Sequence, residues 1–460
     1  MVYHKSMNFD IIKKSNKLLI VFCLIFLVSL YSGNGGLEGD QRDFDMSDRI
    51  DNWGFIVPFV YGEWPNFFGH WRFTFTLLQI LVLWFGLYLI FHNCFFTKLH
   101  SIIFYIIFIV SSFYAANLYR DATLFSLSVL GFGIFLKSKK QKNFFNYFLL
   151  ITSFVLISIA SMFKPFYSLI LVLVLMQVIQ INKLKLLIKR PILNLASLFT
   201  LILLFSFPVD NYLSNVVGLQ KVYPQQQPII MDLAAQYCWG TNANQTEQSK
   251  NLLTPLLRNE YPPQTICASL RPDSWDNLHN NFNPWVYSSP IIRITGEAES
   301  RITNLAIGWI KTIASSPVDW IQVRLYFLGP TLFASNSFTS NIVTVYDENK
   351  FLHFLGFTWN MLLAPVLLMD KLRLTSLFFA ILFYIAIIGF QVYRDSKSRI
   401  EVINNSKKIV FAMTTSIATL IIGALISVAN NGRYFLPYIL LTHIFTLRSF
   451  ITRDNSSVGK

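Results

Sequence analysis

The chain has 460 residues, of which 53% are hydrophobic and only 13% are charged, and its formal net charge is +14. Soluble domains usually carry about 25% charged residues, so this composition excludes a predominantly soluble protein. It predicts an all-α, polytopic transmembrane protein, because a backbone in lipid must satisfy its own hydrogen bonds. The Lys and Arg residues cluster in short loops between apolar runs, where they act as topology signals. Nucleic acid is therefore excluded as the partner of this positive charge.

About ten apolar runs approach or exceed the roughly 18 residues that a helix needs to cross a bilayer. In chain order, the predicted spans cover residues 18–33, 73–92, 101–118, 122–137, 146–163, 166–181, 191–208, 374–393, 409–428 and 433–449. The first is predicted to be an uncleaved signal anchor, because Lys13, Lys14 and Lys17 precede it and no small-residue cleavage site follows.

The basic loops predict how these spans are oriented. Basic loops prefer the cytoplasm. If each span crosses the membrane once, one side of the membrane holds the Lys-rich amino terminus and the loops at 137–142, 182–190 and 393–408. Both chain termini are therefore predicted to be cytoplasmic. Residues 33–72 and 209–373 are predicted to face the outer side.

This orientation divides the chain into three parts. They are an N-terminal transmembrane module at 1–208 with an acidic first outer loop at 33–72, an extracytoplasmic, mainly helical region at 209–373, and C-terminal transmembrane helices at 374–460. In the outer region, residues 221–251 carry turn formers without a clear period, whereas 296–329 has the pattern of two helices broken near Pro317. Cys238 and Cys267 lie in the same region, where an oxidising compartment would allow a disulfide between them.

Two apolar segments of the outer region are ambiguous. Residues 320–338 and 351–369 suit either amphipathic surface helices or a further pair of spans, which would raise the number of spans to twelve. Arg324, Gly329 and Pro330 make the first segment a poor span, so interfacial helices are favoured.

The first outer loop is rich in acids. Six of the chain's 24 acidic residues lie between Glu38 and Asp51. A solvated loop accounts for them, but a positioned carboxylate can also act as a general base or a metal ligand. Asp40 and Asp43 are three residues apart and would share a face in a helical turn, so they are the candidate catalytic residues. Asp48 and Asp51 lie further from the first span and are interpreted as solvated.

Four basic residues lie at the ends of predicted spans on the outer side, where the positive-inside rule predicts few of them. They are Arg72, Arg120, Lys164 and Arg433. Each alone could be a snorkelling anchor, but together they predict a site for an anionic lipid headgroup. Their neighbours complete the candidate binding set: His70, Asp121 and Tyr434.

Several kinds of chemistry have no support in the sequence. It contains no Walker loop, no dinucleotide fingerprint, no His-x-x-x-His pair and no Cys-x-x-Cys, which argues against nucleotide hydrolysis, redox and zinc chemistry. No cofactor is predicted, although the loop acids leave a divalent metal open.

Five stretches resemble a known class of proteins. "LYRDATLF", "IIMDLA", "LRPDSWDNL", "IGWIKTIASSPVDWIQVRL" and "NNGRYFLPY" span Leu118 to Tyr438 in this order. Together with the acidic first outer loop, they resemble the GT-C class of membrane glycosyltransferases. The closer resemblance is to a group of bacterial multi-span proteins described mostly as hypothetical or glycosyltransferase-like.

This resemblance implies an inverting transfer of a sugar from a polyprenyl-phosphate or polyprenyl-diphosphate carrier. The reaction would take place at the outer face of a bacterial inner membrane, onto a cell-envelope glycan or lipid acceptor. The carboxylate that serves as base or helps to bind a metal would be Asp40, with Asp43 as the alternate. Arg120, Lys164 and Arg433 would lie near the carrier phosphate. The region 209–373 would bind the acceptor.

Two alternatives remain open at this stage. An O-antigen or polysaccharide polymerase would use arginines of the outer region, which are Arg258, Arg271, Arg293, Arg301 and Arg324. A transporter or flippase for a lipid-linked sugar needs a path through the middle of the membrane, usually lined by polar residues or broken helices. The spans consist mostly of Leu, Ile and Phe, which weighs against the transporter.

Overall fold

The computed structural model describes residues 50–51, 71–92, 94, 98–115, 120–138, 144–163, 167–181, 191–217, 220–221, 226–271, 278, 281–282, 296–332, 377–396, 400–426 and 432–457. Within these residues the chain is almost entirely helical, which confirms the predicted all-α class. The named strands are short and form one parallel pair, β1 (Ile50–Asp51) and β2 (Gln220–Lys221).

The helices fall into three groups along the chain. The first group comprises α1 (Trp71–Phe91), α2 (Lys98–Ala115), α3 (Arg120–Ser138), α4 (Phe144–Phe163), α5 (Ser168–Ile181) and α6 (Pro191–Val217). The second comprises α7 (Gln226–Trp239), α8 (Ala243–Leu253), α9 (Gln264–Ser269), α10 (Gly296–Ser315) and α11 (Pro317–Leu332). The third comprises α12 (Leu377–Ser396), α13 (Ile400–Ile426) and α14 (Gly432–Ser457).

Every predicted span that falls within the described residues coincides with a helix of the first or third group. The predicted span at 18–33 and the apolar segment at 351–369 lie outside the described residues. Three helices are much longer than their apolar runs. Helix α6 continues past residue 208, α13 begins at Ile400, inside the basic segment interpreted as a loop, and α14 continues past residue 449 to Ser457. Hydropathy marks the lipid-length run, whereas a helix continues through polar residues wherever its hydrogen bonds are satisfied.

Two described helices are long and apolar enough to cross a membrane, over Asp121–Ser138 and Phe144–Phe163. Shorter apolar stretches occupy other helices, among them Leu77–Phe91, Leu99–Ser112 and Val410–Gly423. The two longer stretches differ in burial, since 83% of the first is buried but only 28% of the second. The number of spans, about ten, therefore stays a prediction.

Helix α3 is the centre of the bundle, and α1 and α4 pack along it. The approach of α1 to α3 depends on glycine. A methyl group added to Gly86 of α1 would lie 2.6 Å from the backbone nitrogen and 2.7 Å from the Cα of Leu130. Small residues at such crossings let two helix backbones come close enough for extensive van der Waals contact. Gly86 therefore sets the spacing between α1 and α3.

We expect Gly86→Ala to lower the stability of the purified protein by about 1–3 kcal/mol, the usual effect of overpacking. The added methyl group meets backbone atoms, so the two helices must separate. Thermal unfolding in lipid nanodiscs measures the effect as a lower midpoint. Gly389→Ala in α12 is the matched control, because a methyl group there would meet no atom within 4 Å. Equal midpoints for the two variants would contradict this account of the crossing.

The buried apolar side chains form two separate clusters. The larger contains residues of the first and third groups, from Phe75 to Ile451. The smaller lies entirely within the second group, from Ile229 to Val323. We call the second group the α7–α11 unit. The domain bounds drawn from the sequence, 1–208, 209–373 and 374–460, stay predictions.

The α7–α11 unit departs from expectation in its first part. Residues 221–251, which have no clear period, contain helix α7 and most of helix α8. Asn242 caps α8, because its side chain accepts hydrogen bonds from the backbone nitrogens of Asn244 and Gln245. Buried polar residues on these helices, such as Gln236, hide the apolar period on which the prediction depends.

Candidate functional site

The starts of α1 and α3 and the end of α2 meet at one end of the helical bundle. Gln79 of α1 donates a hydrogen bond from Nε2 to the backbone oxygen of Ala115, the last residue of α2, over 2.6 Å. Thr123, in the first turn of α3, donates from Oγ1 to Oε1 of the same Gln79 over 2.7 Å. Arg120 is the first residue of α3 and Arg72 the second of α1, so their backbones lie at this end.

The starts of α5 and α14 lie at the same end. Helices α3 and α4 are joined by the short segment 139–143 and pack together, so α4 returns to the start of α3. Helix α5 begins soon afterwards, and the ring of Tyr167 lies 4.8 Å from that of Tyr438, in the second turn of α14. Midway along both helices, Phe132 of α3 meets Phe445 of α14 at 5.3 Å.

Part of the acidic loop lies beyond this end of the bundle. Asp51 of the loop pairs with Lys221 through the parallel strands β1 and β2. Strand β2 follows α6, in which Ser206 lies 2.8 Å from Ser161, close to the end of α4. From Ser206 the helix continues to Val217, about 16 Å further at 1.5 Å per residue. Asp51 of the acidic loop therefore lies beyond the bundle end, next to the segment that leads into the α7–α11 unit.

The structure places the predicted site residues only in part. Asp40, Asp43, His70 and Lys164 lie outside the described residues. Among the others, the backbones of Arg72, Arg120, Arg433 and Tyr434 begin three helices, α1, α3 and α14, whose starts share one end of the bundle. The predicted grouping of these positions at one face is thus consistent with the described backbone, and their catalytic and binding roles stay predictions.

Asp121, a member of the predicted binding set, lies in the first turn of α3 with 1% of its surface exposed. A carboxylate in the first turn of a helix is stabilised by the positive end of the helix dipole. This carboxylate can therefore stabilise the start of α3, and its part in binding the carrier stays a prediction.

Cys238 and Cys267 form a disulfide, which the sequence alone leaves open. Their Cα atoms are 5.4 Å apart and 29 positions separate them along the chain. The bond joins the end of α7 to α9. Stable structural disulfides are characteristic of oxidising compartments, so the bond is consistent with an α7–α11 unit on the outer side.

A buried carboxylate lies at the centre of the α7–α11 unit. Asp232 of α7 has 1% of its surface exposed, and its Oδ1 lies 2.7 Å from Nε of Arg324, which is 4% exposed. Oδ2 of Asp232 accepts hydrogen bonds from the indole nitrogens of Trp309 and Trp320 and from Nε2 of Gln236. These contacts join α7, α10 and α11. The pair is closed to solvent and ties the three helices together.

A pocket of about 360 Å³ opens next to this centre, between the end of α7 and the helix α11. The residues that line it are Trp239, Thr241, Asp319, Gln322, Val323 and Tyr326. Asp319 is 6% exposed, and its Oδ1 accepts hydrogen bonds from the backbone nitrogen and Oγ1 of Thr241. Its buried Oδ2 accepts none within the described part of the chain. This pocket is a candidate site that described residues form.

Buried polar residues also occur where the sequence suggests plain apolar spans. Oη of Tyr384 in α12 lies 2.6 Å from Nδ1 of His443 in α14 and donates to Oγ1 of Thr442 over 3.2 Å. Nearby, Ser416 of α13 lies 3.3 Å from Thr446. These groups bond to one another across helices, which is how polar side chains hold helices together in an apolar environment.

Metal chemistry finds no support in the described chain. Across the ranges given above, no three His, Cys, Asp or Glu side chains lie together in a way that could hold a metal ion. The loop acids for which a divalent metal stays open, Asp40 and Asp43, are outside those ranges.

Comparison with protein-family models, with curated proteins and with solved structures finds no match. The site must therefore be interpreted from its own chemistry and geometry.

The residues of the buried Asp232 centre lie in two of the stretches that carry the family resemblance, although composition and spacing do not reveal them. Asp232 belongs to "IIMDLA", and Trp309, Trp320 and Arg324 belong to "IGWIKTIASSPVDWIQVRL". Both stretches carry the resemblance described above, and the structure brings them together at one carboxylate. The ion pair between Asp232 and Arg324 joins α7 to α11, the two helices between which the pocket opens.

Proposed function

We propose that the chain is a bacterial inner-membrane glycosyltransferase of the GT-C type. It transfers a sugar from a polyprenyl-phosphate-linked donor to a cell-envelope glycan or lipid acceptor on the outer face of the membrane. The observation that carries the proposal is the arrangement at one end of the bundle. The starts of the helices that bear Arg72, Arg120 and Arg433 share this end, and Asp51 of the acidic loop pairs with the segment that leads from it into the α7–α11 unit.

A membrane location is supported by the surface of α4. This helix leaves large apolar side chains exposed, namely Phe144, Phe145, Tyr147, Phe148 and Ile151. A contiguous apolar patch of this kind is costly in water and indicates contact with lipid or another apolar partner. Helix α11 similarly exposes Val318, Ile321 and Leu325 at helical spacing, which suits the predicted interfacial position.

Two of the five arginines that a polymerase could use have partners among the described residues. Arg324 is buried against Asp232 and is not available to a substrate. Arg258 donates from Nε to the backbone oxygen of Phe282 and lies 3.9 Å from Glu260, but 38% of its side chain is exposed. The polymerase alternative therefore loses one of its arginines.

The chemistry follows from a base and a set of cations at one membrane face. An acceptor hydroxyl gives its proton to Asp40 or Asp43 while its oxygen forms a bond to the anomeric carbon of the donor sugar. The bond from that carbon to the carrier phosphate breaks, and the phosphate leaves with the electron pair. Attack opposite the leaving group inverts the anomeric centre. Arg120, Lys164 and Arg433 stabilise the negative charge of the departing phosphate.

A comparison of four loop variants tests the base. Asp40→Asn or Asp43→Asn is expected to reduce sugar transfer by at least about 100-fold, the lower range for loss of a general base. Asp48→Asn and Asp51→Asn are the controls and should retain activity, because these acids are further from the first span. The measurement uses the full chain in proteoliposomes with a panel of radiolabelled polyprenyl-linked sugars. Full activity of both Asp40→Asn and Asp43→Asn would show that neither residue is the base.

A further inference from the structure

We infer that the pocket between α7 and α11 binds one sugar ring of the glycan acceptor. This inference rests on the proposed function and assigns its acceptor subsite to the residues that line the pocket, Trp239, Thr241, Asp319, Gln322, Val323 and Tyr326. A volume of about 360 Å³ lies within the range of ligand-binding clefts, roughly 300–1,000 Å³.

The pocket has an apolar wall with aromatic rings. The rings of Trp239 and Tyr326 lie 5.1 Å apart at an angle of 64°, and Tyr326 has 65% of its surface exposed. Val323 is buried between the pocket and the core of the unit. A sugar ring carries C–H groups on its faces, which pack on apolar and aromatic surfaces, and an exposed aromatic side chain gains from being covered.

The polar wall presents groups that suit hydroxyls. Oδ1 of Asp319 accepts two hydrogen bonds from Thr241, while its buried Oδ2 accepts no hydrogen bond from the described residues. A buried acceptor without a donor costs free energy, commonly about 1–3 kcal/mol, and a ligand hydroxyl could supply the donor. Gln322 offers both an amide N–H and a carbonyl oxygen, and the hydroxyl oxygen of Thr241, whose hydrogen is donated to Asp319, can accept a hydrogen bond. Ligand hydroxyls both donate and accept, and so match this mixture.

The charge of the pocket indicates that it binds the glycan acceptor and not the lipid-linked donor. None of its six lining residues is Lys or Arg, so the pocket is unsuited to the phosphate of the carrier lipid. An ammonium ligand would use Asp319 and the two rings, but it would leave the amide N–H groups of Gln322 without a function. A neutral ligand rich in hydroxyls uses both the polar and the apolar wall.

The walls of the pocket are held in place before a ligand arrives. Arg324 is adjacent to Val323 in α11, and its ion pair with Asp232 fixes α11 against α7. Trp320, the neighbour of Asp319 in the sequence, donates from Nε1 to the carboxylate of Asp232 over 2.8 Å. Binding to a preformed site loses less conformational entropy than binding to a mobile one.

Binding of soluble oligosaccharides to the full chain in lipid nanodiscs tests the inference. Nanodiscs avoid detergents with sugar headgroups. A glycan array of gluco-, manno-, galacto- and N-acetylglucosamine oligosaccharides would identify the best ligand, and calorimetry would measure its Kd. We expect Trp239→Ala and Asp319→Asn each to raise Kd by at least about tenfold, since hydrogen bonds to charged groups and aromatic contacts have this magnitude.

The variants are chosen so that misfolding does not imitate loss of binding. Asp319→Asn is isosteric and keeps Oδ1 as the acceptor for Thr241. Gln322→Ala changes an exposed side chain and should also weaken binding, while Tyr212→Ala, an exposed aromatic residue on α6, is the control that should leave Kd unchanged. Equal affinity of wild type and all pocket variants would overturn the inference, as would binding of tetramethylammonium in place of every glycan.

The outcomes for the pocket and for the proposed function are distinguishable. If sugar transfer depends on Asp40 or Asp43 while the pocket variants bind and transfer normally, the pocket assignment alone is wrong. If glycans bind in the pocket but no sugar is transferred, the subsite stands and the proposed transferase activity is wrong.

Discussion

Asp232→Ala is expected to destabilise the α7–α11 unit by about 3–5 kcal/mol, the usual cost of removing one partner from a buried ion pair. The substitution leaves the guanidinium of Arg324 without its carboxylate at a position that is 4% exposed. It also removes the acceptor for the indole N–H groups of Trp309 and Trp320. Three helices lose their common contact at once, so α7, α10 and α11 should open together.

Amide hydrogen exchange of the full chain in nanodiscs measures this effect. Local opening should make exchange in α7 and α11 at least about 100-fold faster, since each 1.4 kcal/mol corresponds to a factor of ten. Glu247→Ala is the control within the same unit. It removes an exposed pair in which Lys250 lies 3.3 Å from Glu247, and such pairs contribute roughly 0–1 kcal/mol.

A double variant distinguishes the effect of the lost charge pair from the effect of lost side-chain volume. Asp232→Leu combined with Arg324→Met replaces the ion pair with apolar side chains, which is often tolerated at buried sites. We expect exchange in α7 to be slower in this double variant than in Asp232→Ala. Exchange at the wild-type rate in Asp232→Ala itself would contradict the central role assigned to this carboxylate.

Removal of the disulfide is expected to cost about 3.5 kcal/mol, as calculated from the entropy of a closed loop of this length. Cys238 and Cys267 are 29 positions apart, and the bond holds α9, a helix of 6 residues, to the end of α7. A helix this short is not stable alone, so α9 should exchange its amide hydrogens freely in the variant Cys238→Ser with Cys267→Ser.

The control for this experiment is Cys94→Ala, which changes a buried free cysteine outside the α7–α11 unit. It should leave exchange in α9 unchanged. Protection of α9 in the double serine variant equal to that in the wild type would show that apolar packing of Ile266 and Leu270, rather than the disulfide, holds this helix.

The sequence predicts the helices of the bundle well because a lipid-length apolar run leaves little freedom in its interpretation. Helix α3, for instance, is predicted at 122–137 and observed over Arg120–Ser138. The polar helices α7 and α8 escape prediction, since Gln236, Gln245 and Ser249 are buried and interrupt the apolar pattern. Their burial depends on partners elsewhere in the chain, such as the backbone oxygen of Thr312, to which Gln245 donates.

The described site was predicted less well for the same reason. Trp309 and Trp320 lie 77 and 88 positions from Asp232 in the chain, and no local spacing rule connects residues so far apart. Asp319 and Thr241, 78 positions apart, meet only because α7 and α11 pack together. The disulfide is different, because two cysteines in one polar region already limit the choice of partner.

Sugar transfer by the wild-type chain is the most direct test of the proposed function. The full chain is reconstituted in proteoliposomes with a polyprenyl-phosphate-linked sugar that carries label in both the lipid and the sugar. The account predicts that the sugar label moves to a glycan or lipid acceptor, with inversion at the anomeric carbon, while the lipid label stays with the released carrier. Movement of the intact labelled lipid across the bilayer without sugar transfer would contradict it and would favour a transporter.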